Sequence, residues 1–288
     1  ADAPAFATGF RSPEAPTFLR DAAAAAAENP YAITAAGLVK QFRSGGREPF
    51  RAVDDVSFRV RKGTTHALVG ESGSGKTTTA RLITRFQHPD AGTIAIDDTD
   101  VTTASGRELR ELRRSIQLVY QNPFASLDPR QRIEDIIAEP LTNFRIGTRG
   151  ERRERAHALL ERVTLPADVA RRTPRELSGG QRQRVAIARA LAIDPEIIVF
   201  DEAVSALDVT VQARILELLA ALQVELGLTY LFISHDLAVV RGISHTVSVM
   251  RRGRIVEDGL TQRIFEDPQH EYTRELLAAV PGRSEVPA

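Results

Sequence analysis

Between residues 31 and 68 apolar and polar positions alternate in short segments, A-I-T-A-A-G-L-V-K-Q-F and then R-A-V-D-D-V-S-F-R-V, parted by Gly45, Gly46 and Pro49. A period of two, with glycine and proline between the runs, predicts antiparallel strands and turns. The run T-H-A-L-V that follows reads as a buried strand, and T-T-T-A-R-L-I (77–83) has helical spacing. Gly92–Ile96 predicts another strand of the antiparallel kind. The stretch from about 106 to 190 is mostly helical in pattern, broken by S-I-Q-L-V-Y (115–120), a buried strand. From 195 the order is strand, helix, strand: I-I-V-F (197–200), Val209–Leu226, then T-Y-L-F-I-S (229–234). Val247–Met250 and Arg254–Glu257 flank Gly253 as a hairpin, and T-Q-R-I-F-E-D-P is a short helix ended by proline. Strands alternating with helices imply an α/β fold on a mostly parallel sheet, with ligand at the C-terminal ends of the strands. Residues 1–30, with Pro4, Pro13, Pro16, Pro30 and the alanine run at 22–27, suit an extended linker or tail with one short helix over Thr17–Glu28.

Composition narrows the function. A chain of 288 residues holds one large α/β domain or two small ones. Lys+Arg and Asp+Glu both number 38, so no global basic field recruits nucleic acid, and none is expected as a partner. The cluster Arg149–Arg155 alternates with Glu151 and Glu154 and reads as a solvated helix face. Cysteine is absent, which excludes disulfides, thiolate zinc sites, iron–sulfur clusters and cysteine nucleophiles within these residues. No apolar run approaches the ~18 residues of a membrane span. The most hydrophobic region, Ile215–Ser234, is interrupted by Glu217, Gln223 and Glu225. The N-terminal segment lacks the basic start and apolar core of a signal peptide, so membrane association is expected through a partner.

The chemistry begins at G-E-S-G-S-G-K-T-T, comprising Gly70, Glu71, Ser72, Gly73, Ser74, Gly75, Lys76, Thr77 and Thr78. It fits G-x-x-x-x-G-K-[ST] and lies between a predicted strand and a predicted helix. Glycines let successive N–H groups turn into one concavity at a helix N-terminus, an anion nest. Lys76 then reaches the β- and γ-phosphates of a nucleotide, and the Thr77 hydroxyl holds Mg²⁺. Hydrolysis needs more: a metal carboxylate and a group that positions water. The strand I-I-V-F runs into Asp201 and Glu202, placed to hold Mg²⁺ and to act as general base. The strand T-Y-L-F-I-S delivers His235 to the same sheet edge, where it contacts the γ-phosphate, and Gln121 follows S-I-Q-L-V-Y with an amide for metal or water. L-S-G-G-Q-R-Q-R (177–184) opens a second helix at glycines; by itself it is a serine N-cap.

The order of phosphate loop, Gln121, L-S-G-G-Q, D-E, S-A-L-D (205–208) and His235 closely resembles the ATPase domain of ABC transporters over about 31–268. The resemblance implies a P-loop NTPase core, an antiparallel β subdomain and an inserted helical subdomain at about 122–190 that docks on a membrane permease, with 269–288 left as a C-terminal tail. It implies ATP and Mg²⁺ as ligands. It also implies a head-to-tail pair of ATPases, in which Ser178, Gly179, Gly180 and Gln181 contact the nucleotide held by the partner and Asp208 links the two sites. Phe42 matches the aromatic that stacks on adenine. Q-N-P-F-A-S-L-D-P-R (121–130), F-I-S-H-D-L-A-V-V (232–240) and E-D-P-Q-H-E-Y-T-R-E-L-L (266–277) resemble the dipeptide, oligopeptide and nickel importers. That relation implies a peripheral subunit on the cytoplasmic face of the cell membrane. Its partners are a related, non-identical ATPase, two permease subunits and an extracytoplasmic substrate-binding protein, and its cargo is peptide, with nickel or glutathione as alternatives. The chain departs from the pattern at Ala203 and Glu271, where proline is usual, and ends at Ala288 without the cysteine-containing region common there.

Two other classes are weighed. Soluble ABC ATPases of chromosome type place a long coiled coil between loop and signature, those of damage recognition need zinc cysteines, and those acting on ribosomes carry two domains. Here about 100 residues without sustained heptads intervene, cysteine is absent, and one domain is visible. A module that binds ATP without turnover would lack some of the site residues, and all are present.

Overall fold

A computed structural model describes residues 29–42, 49–120 and 127–279. The alternating segments become a four-stranded antiparallel sheet in the order β2-β1-β4-β5. Its strands are β1 (Tyr31–Phe42), β2 (Phe50–Arg61), β4 (Ala91–Ile96) and the short β5 (Thr99–Asp100). Register runs from Tyr31 opposite Arg61 to Phe42 opposite Phe50. The period of two, shifted by an irregularity between Ala35 and Leu38, puts Ile33, Leu38, Val56, Phe58, Val60, Ile94 and Ile96 in one buried core.

The continuous apolar runs form a second, six-stranded sheet in the order β10-β9-β3-β8-β7-β6. Strands β3 (Thr65–Val69), β6 (Ile116–Tyr120), β7 (Ile197–Asp201), β8 (Thr229–Ser234) and β9 (Thr246–Arg251) are parallel. β10 (Arg254–Leu260) returns antiparallel to β9. Every residue of β3, β7 and β8 is buried, because both faces are covered. One face, through Ile197, Val199, Leu231 and Ile233, shares a core with the antiparallel sheet and α1 (Lys76–Ile83). The other, through Ile198, Phe200, Tyr230 and Phe232, is continuous with the core of α3 (Ile133–Phe144), α4 (Arg149–Arg162), α5 (Gly179–Leu191) and α6 (Val209–Leu226). α2 (Gly106–Ser115) leads into β6. Chain order reverses across β3: the chain leaves it for the far edge at β6, and after β8 crosses to β9 on its other side. A crevice at the strand ends is expected at that reversal.

The basic cluster lies in α4, where Arg153 pairs with Glu134 at 3.0 Å and Arg155 with Asp194 at 2.5 Å. A third core joins Ala67, Val69, Val247 and Val249 to α7 (Leu237–Ile243), α8 (Thr261–Glu266) and α9 (Glu271–Ala278). The segment from 269, expected as a C-terminal tail, includes α9. Helix α9 is docked, with Tyr272 and Leu277 buried. Its polar sequence carries few apolar residues, but Tyr272, Thr273, Leu276 and Leu277 together fall on the packed side. Glu271 occupies the first turn of α9, a place where proline also fits because that N–H has no partner within the helix. The helix considered over Thr17–Glu28 lies outside the described residues.

Candidate active site

β3 delivers the chain into Gly70, and the loop is then held from outside on several sides. A methyl group at Gly70 (φ 146°) would lie 2.1 Å from Met250 O, and one at Gly75 (φ 110°) 2.3 Å from Ala52 O. Only glycine has both that backbone geometry and that clearance. Gly253, in the β9–β10 turn, donates its N–H to Ser74 O at 2.9 Å, and Glu71 donates its own to Tyr272 Oη at 3.1 Å. α1 starts at Lys76 with Gly75 as N-cap and no side-chain cap, so its first amides open toward the concavity of the loop.

Lys76 is buried and folds back on the loop. Its ammonium donates to Gly70 O at 2.7 Å, Glu71 O at 2.8 Å and Ser74 Oγ at 3.4 Å. Burial pulls its pKa below the usual lysine range, opposed by the carboxylates of Glu202, Asp201 and Glu71. Asp201 ends β7, and its Oδ1 accepts from Thr77 Oγ1 at 2.9 Å. Burial raises its carboxyl above the ordinary range; the Thr77 hydrogen bond opposes this and neighbouring Glu202 adds to it.

Glu202 sits in the left-handed region at φ 52°, a backbone state that costs a non-glycine residue about 1 kcal/mol or more and tends to mark working sites. Its N–H is tied to Ile233 O of β8 at 2.9 Å. Its Oε2 lies 3.3 Å from Nδ1 of His235, the first residue after β8. The following turn, where Ala203 replaces the usual proline, is closed by Ser205, whose N–H and hydroxyl both donate to Glu202 O, at 3.1 and 3.0 Å. The loop, Asp201, Glu202 and His235 thus come together at the ends of β3, β7 and β8.

The remaining predicted residues form a separate group. Ser178 caps α5 in a reciprocal box: its hydroxyl accepts from Gln181 N–H at 3.3 Å, and Gln181 Oε1 accepts from Ser178 N–H at 2.9 Å. Gly180 faces α6 so closely that a methyl there would meet Val211 Cγ1 at 2.5 Å, and Gly179 faces Leu207. Asp208 caps α6, accepting from Val211 N–H at 2.9 Å. The L-S-G-G-Q and S-A-L-D segments are therefore one packed unit. Phe42 ends β1 and stacks on Phe50, with ring centroids 6.3 Å apart and Phe50 59% exposed. Gln121 lies outside the described residues.

Sequence reasoning missed the loop's outer supports: Ala52, Met250, Gly253 and Tyr272. The first three act through backbone atoms, which leave no trace in residue type. Tyr272 left one, since it stands in the segment E-D-P-Q-H-E-Y-T-R-E-L-L.

A family model described as ABC transporter matches residues 53–205. The chain is 50% identical over 250 residues to a putative peptide import ATP-binding protein of Brucella ovis, covering 87% of this chain and 78% of that one. It is 51% identical over 252 residues to the glutathione import ATP-binding protein GsiA of Salmonella choleraesuis, covering 85% of this chain and 40% of the relative. Among solved structures, the dimeric ATP-binding cassette MJ0796 bound to ADP and Pi aligns with a TM-score of 0.72 at 30% identity, over 80% of this chain and 98% of that chain. The cbiO1 protein of Clostridium perfringens, part of the ABC transporter complex cbiONQ, aligns at 0.74 and 26% identity, over 88% of this chain and 97% of that chain. The chain belongs to the ABC transporter family, among its ATPases.

Proposed function

We propose that this ATPase powers the uptake of peptides through a membrane permease, with the loop 70–78 binding ATP and Glu202 activating water. The observation that carries the reading is the meeting of Thr77 with Asp201 and of Glu202 with His235 at one sheet edge, beside the loop. Amides of the loop and of the start of α1 hold the phosphates, and Lys76 turns from its own carbonyls to the β- and γ-oxygens. Glu202 accepts the proton of the attacking water. His235 orients that carboxylate through Nδ1 and offers Nε2 to the γ-phosphate. Phe42 stacks on the base, a contact with little base selectivity.

Thr77 and Asp201 are hard oxygen donors, the kind Mg²⁺ takes once or twice while keeping most of its water, and Gln121 would add an amide oxygen. When bound, the ion supplies charge neutralisation at the phosphate oxygens. Ser178, Gly179, Gly180 and Gln181 complete the site of a second, related ATPase, and Asp208 links the two. Closure of that pair on ATP moves the permease, and hydrolysis resets it.

Peptide cargo is supported by the relatives, which are named for peptide import and for glutathione import; glutathione, itself a tripeptide, falls in the same class. No described helix is long and apolar enough to cross a membrane, which fits a peripheral place on the cytoplasmic face beside two permease subunits, served by an extracytoplasmic binding protein. A groove of about 350 Å³ between α2 and α3, lined by Leu109, Arg110, Arg113 and Phe144, supports a docking role. Beside it Arg113 covers the exposed ring of Phe86 at 5.2 Å.

The test is a pull-down of tagged Glu202→Gln protein with Mg-ATP from detergent-solubilised membranes, with partners identified by mass. Two permease chains and a second ATPase are expected. Recovery of ribosomes or of soluble proteins only would overturn the transport reading.

A further inference from the structure

The peptide plane between Gly70 and Glu71 is held at both ends. Its carbonyl, Gly70 O, accepts from Lys76 Nζ at 2.7 Å, and its N–H, on Glu71, donates to Tyr272 Oη at 3.1 Å. The two anchors differ in kind. Lys76 belongs to the loop and has a second task, since it must turn to phosphate when nucleotide binds. Tyr272 comes from α9, 201 positions along the chain, and has no such task.

We propose that Tyr272 is a positioning residue for the phosphate loop: its hydroxyl keeps the Gly70–Glu71 peptide from flipping once Lys76 lets go of the carbonyl. This rests on the reading of 70–78 as the nucleotide site. Tyr272 is built to stay in place. Its ring is 2% exposed, in the core of β3, β9 and α7–α9, and the Arg251 guanidinium lies 4.6 Å from the ring centroid. The start of α9 is clamped as well. The Glu257 carboxylate accepts from Gln269 N–H at 2.7 Å and His270 N–H at 3.0 Å, and His270 Nδ1 accepts from Tyr272 N–H at 3.1 Å. Whatever shifts α9 therefore shifts the loop. Without the hydroxyl, Glu71 N–H has no partner, the loop samples other conformations, and apparent affinity falls by the fraction still competent.

Tyr272→Phe keeps the ring and removes the acceptor. KM for Mg-ATP is expected to rise about tenfold, equal to ~1.4 kcal/mol at 25 °C. The effect falls on KM and not on kcat, because the saturated loop is restored by its ligand. A thermal midpoint that falls while KM stays as in wild type would mark a merely structural tyrosine and overturn the assignment. A second measurement needs no variant: in the wild-type chain the Glu71 amide should exchange with deuterium far more slowly than that of Gly73, and equal rates overturn it too. Lys76→Ala separates the levels. Unchanged Mg-ATP binding in that variant sinks the loop reading itself, whereas lost binding there beside a normal KM in Tyr272→Phe sinks only the role of Tyr272.

Discussion

Helices α1 and α5 both have glycine at their starts, as the N-cap Gly75 in α1 and as the first helical residues Gly179 and Gly180 in α5, and their first turns are satisfied in opposite ways. Gly75 gives α1 no side-chain cap, and the loop before it is pressed into shape by Met250, Ala52, Gly253 and Tyr272. α5 closes on itself through the Ser178–Gln181 box, and its glycines serve close packing on Leu207 and Val211. A helix start leaves four amides without partners; in α1 they are offered to a ligand, while in α5 two nearby donors are already bonded. In the proposed function the first arrangement holds a phosphate within one chain. The second is suited to completing a site built elsewhere, which fits a nucleotide shared between two ATPases. Similar glycine-rich letters encode different jobs because the neighbours, not the glycines, decide what the amides face.

The largest effect tests the loop side. Glu202→Gln keeps the shape of the side chain but removes its charge and with it the proposed base, so ATP turnover is expected to fall by about a thousandfold, within the range of general-base contributions. Mg-ATP binding, measured by equilibrium dialysis, should persist. Turnover within a few-fold of wild type would instead favour a domain that binds without hydrolysing.

Two glycine substitutions sharpen the contrast directly. Gly75→Ala combines a left-handed φ with backbone contact to Ala52 O at 2.3 Å, and backbone has little room to give. The single chain should then lose nucleotide affinity by roughly a hundredfold, as a strained position meets a clash. Gly180→Ala meets only the Val211 side chain. Binding to the single chain should be intact, turnover of the paired ATPases should drop about tenfold, and Val211→Ala should recover it by making room. If Gly180→Ala weakens binding in the isolated chain, the two helix starts are not independent.

A pH titration separates the strand leading into the loop from the rest. His66 in β3 is wholly buried, with Nδ1 2.8 Å from Thr246 Oγ1 and Nε2 3.1 Å from Ser248 Oγ. Burial pulls its pKa from 6.5 down to about 4. The unfolded chain takes up a proton that the folded chain refuses, so this contribution to stability is complete above pH 6.5 and lost as pH falls toward 4. The loss should total about 3 kcal/mol in urea unfolding. His66→Gln should flatten that part of the profile; an equally steep profile places the acid sensitivity elsewhere.

Much of this was legible in the sequence, and the gaps have physical causes. Val209–Leu226 and Thr229–Ser234 fall where the pattern put them, because helical spacing in the first and a continuous apolar run in the second meet at Gly227. Asp201, Glu202 and His235 were readable as residues at strand ends, which a parallel sheet gathers at one edge. α9 was not, since a short polar helix signals itself only through the few residues it buries, Tyr272, Thr273 and Leu277. Nor was the union of L-S-G-G-Q with S-A-L-D, which depends on a void at Gly180 that only the packed helix α6 defines.

The smallest effect asks whether the α5 box is only a cap. Ser178→Ala removes the acceptor for Gln181 N–H and should cost ~1 kcal/mol of stability, the usual worth of an N-cap. Turnover of the paired ATPases should fall a few-fold beyond what this accounts for, because the same hydroxyl is proposed to reach the partner's γ-phosphate. Ser178→Asn divides the two roles, since asparagine caps as well as serine but places an amide where the hydroxyl stood. Stability should return to the wild-type value while turnover stays low. Should turnover return together with stability, the hydroxyl acts by holding the helix start alone, and phosphate contact at α5 must come from the amides of Gly179 and Gly180.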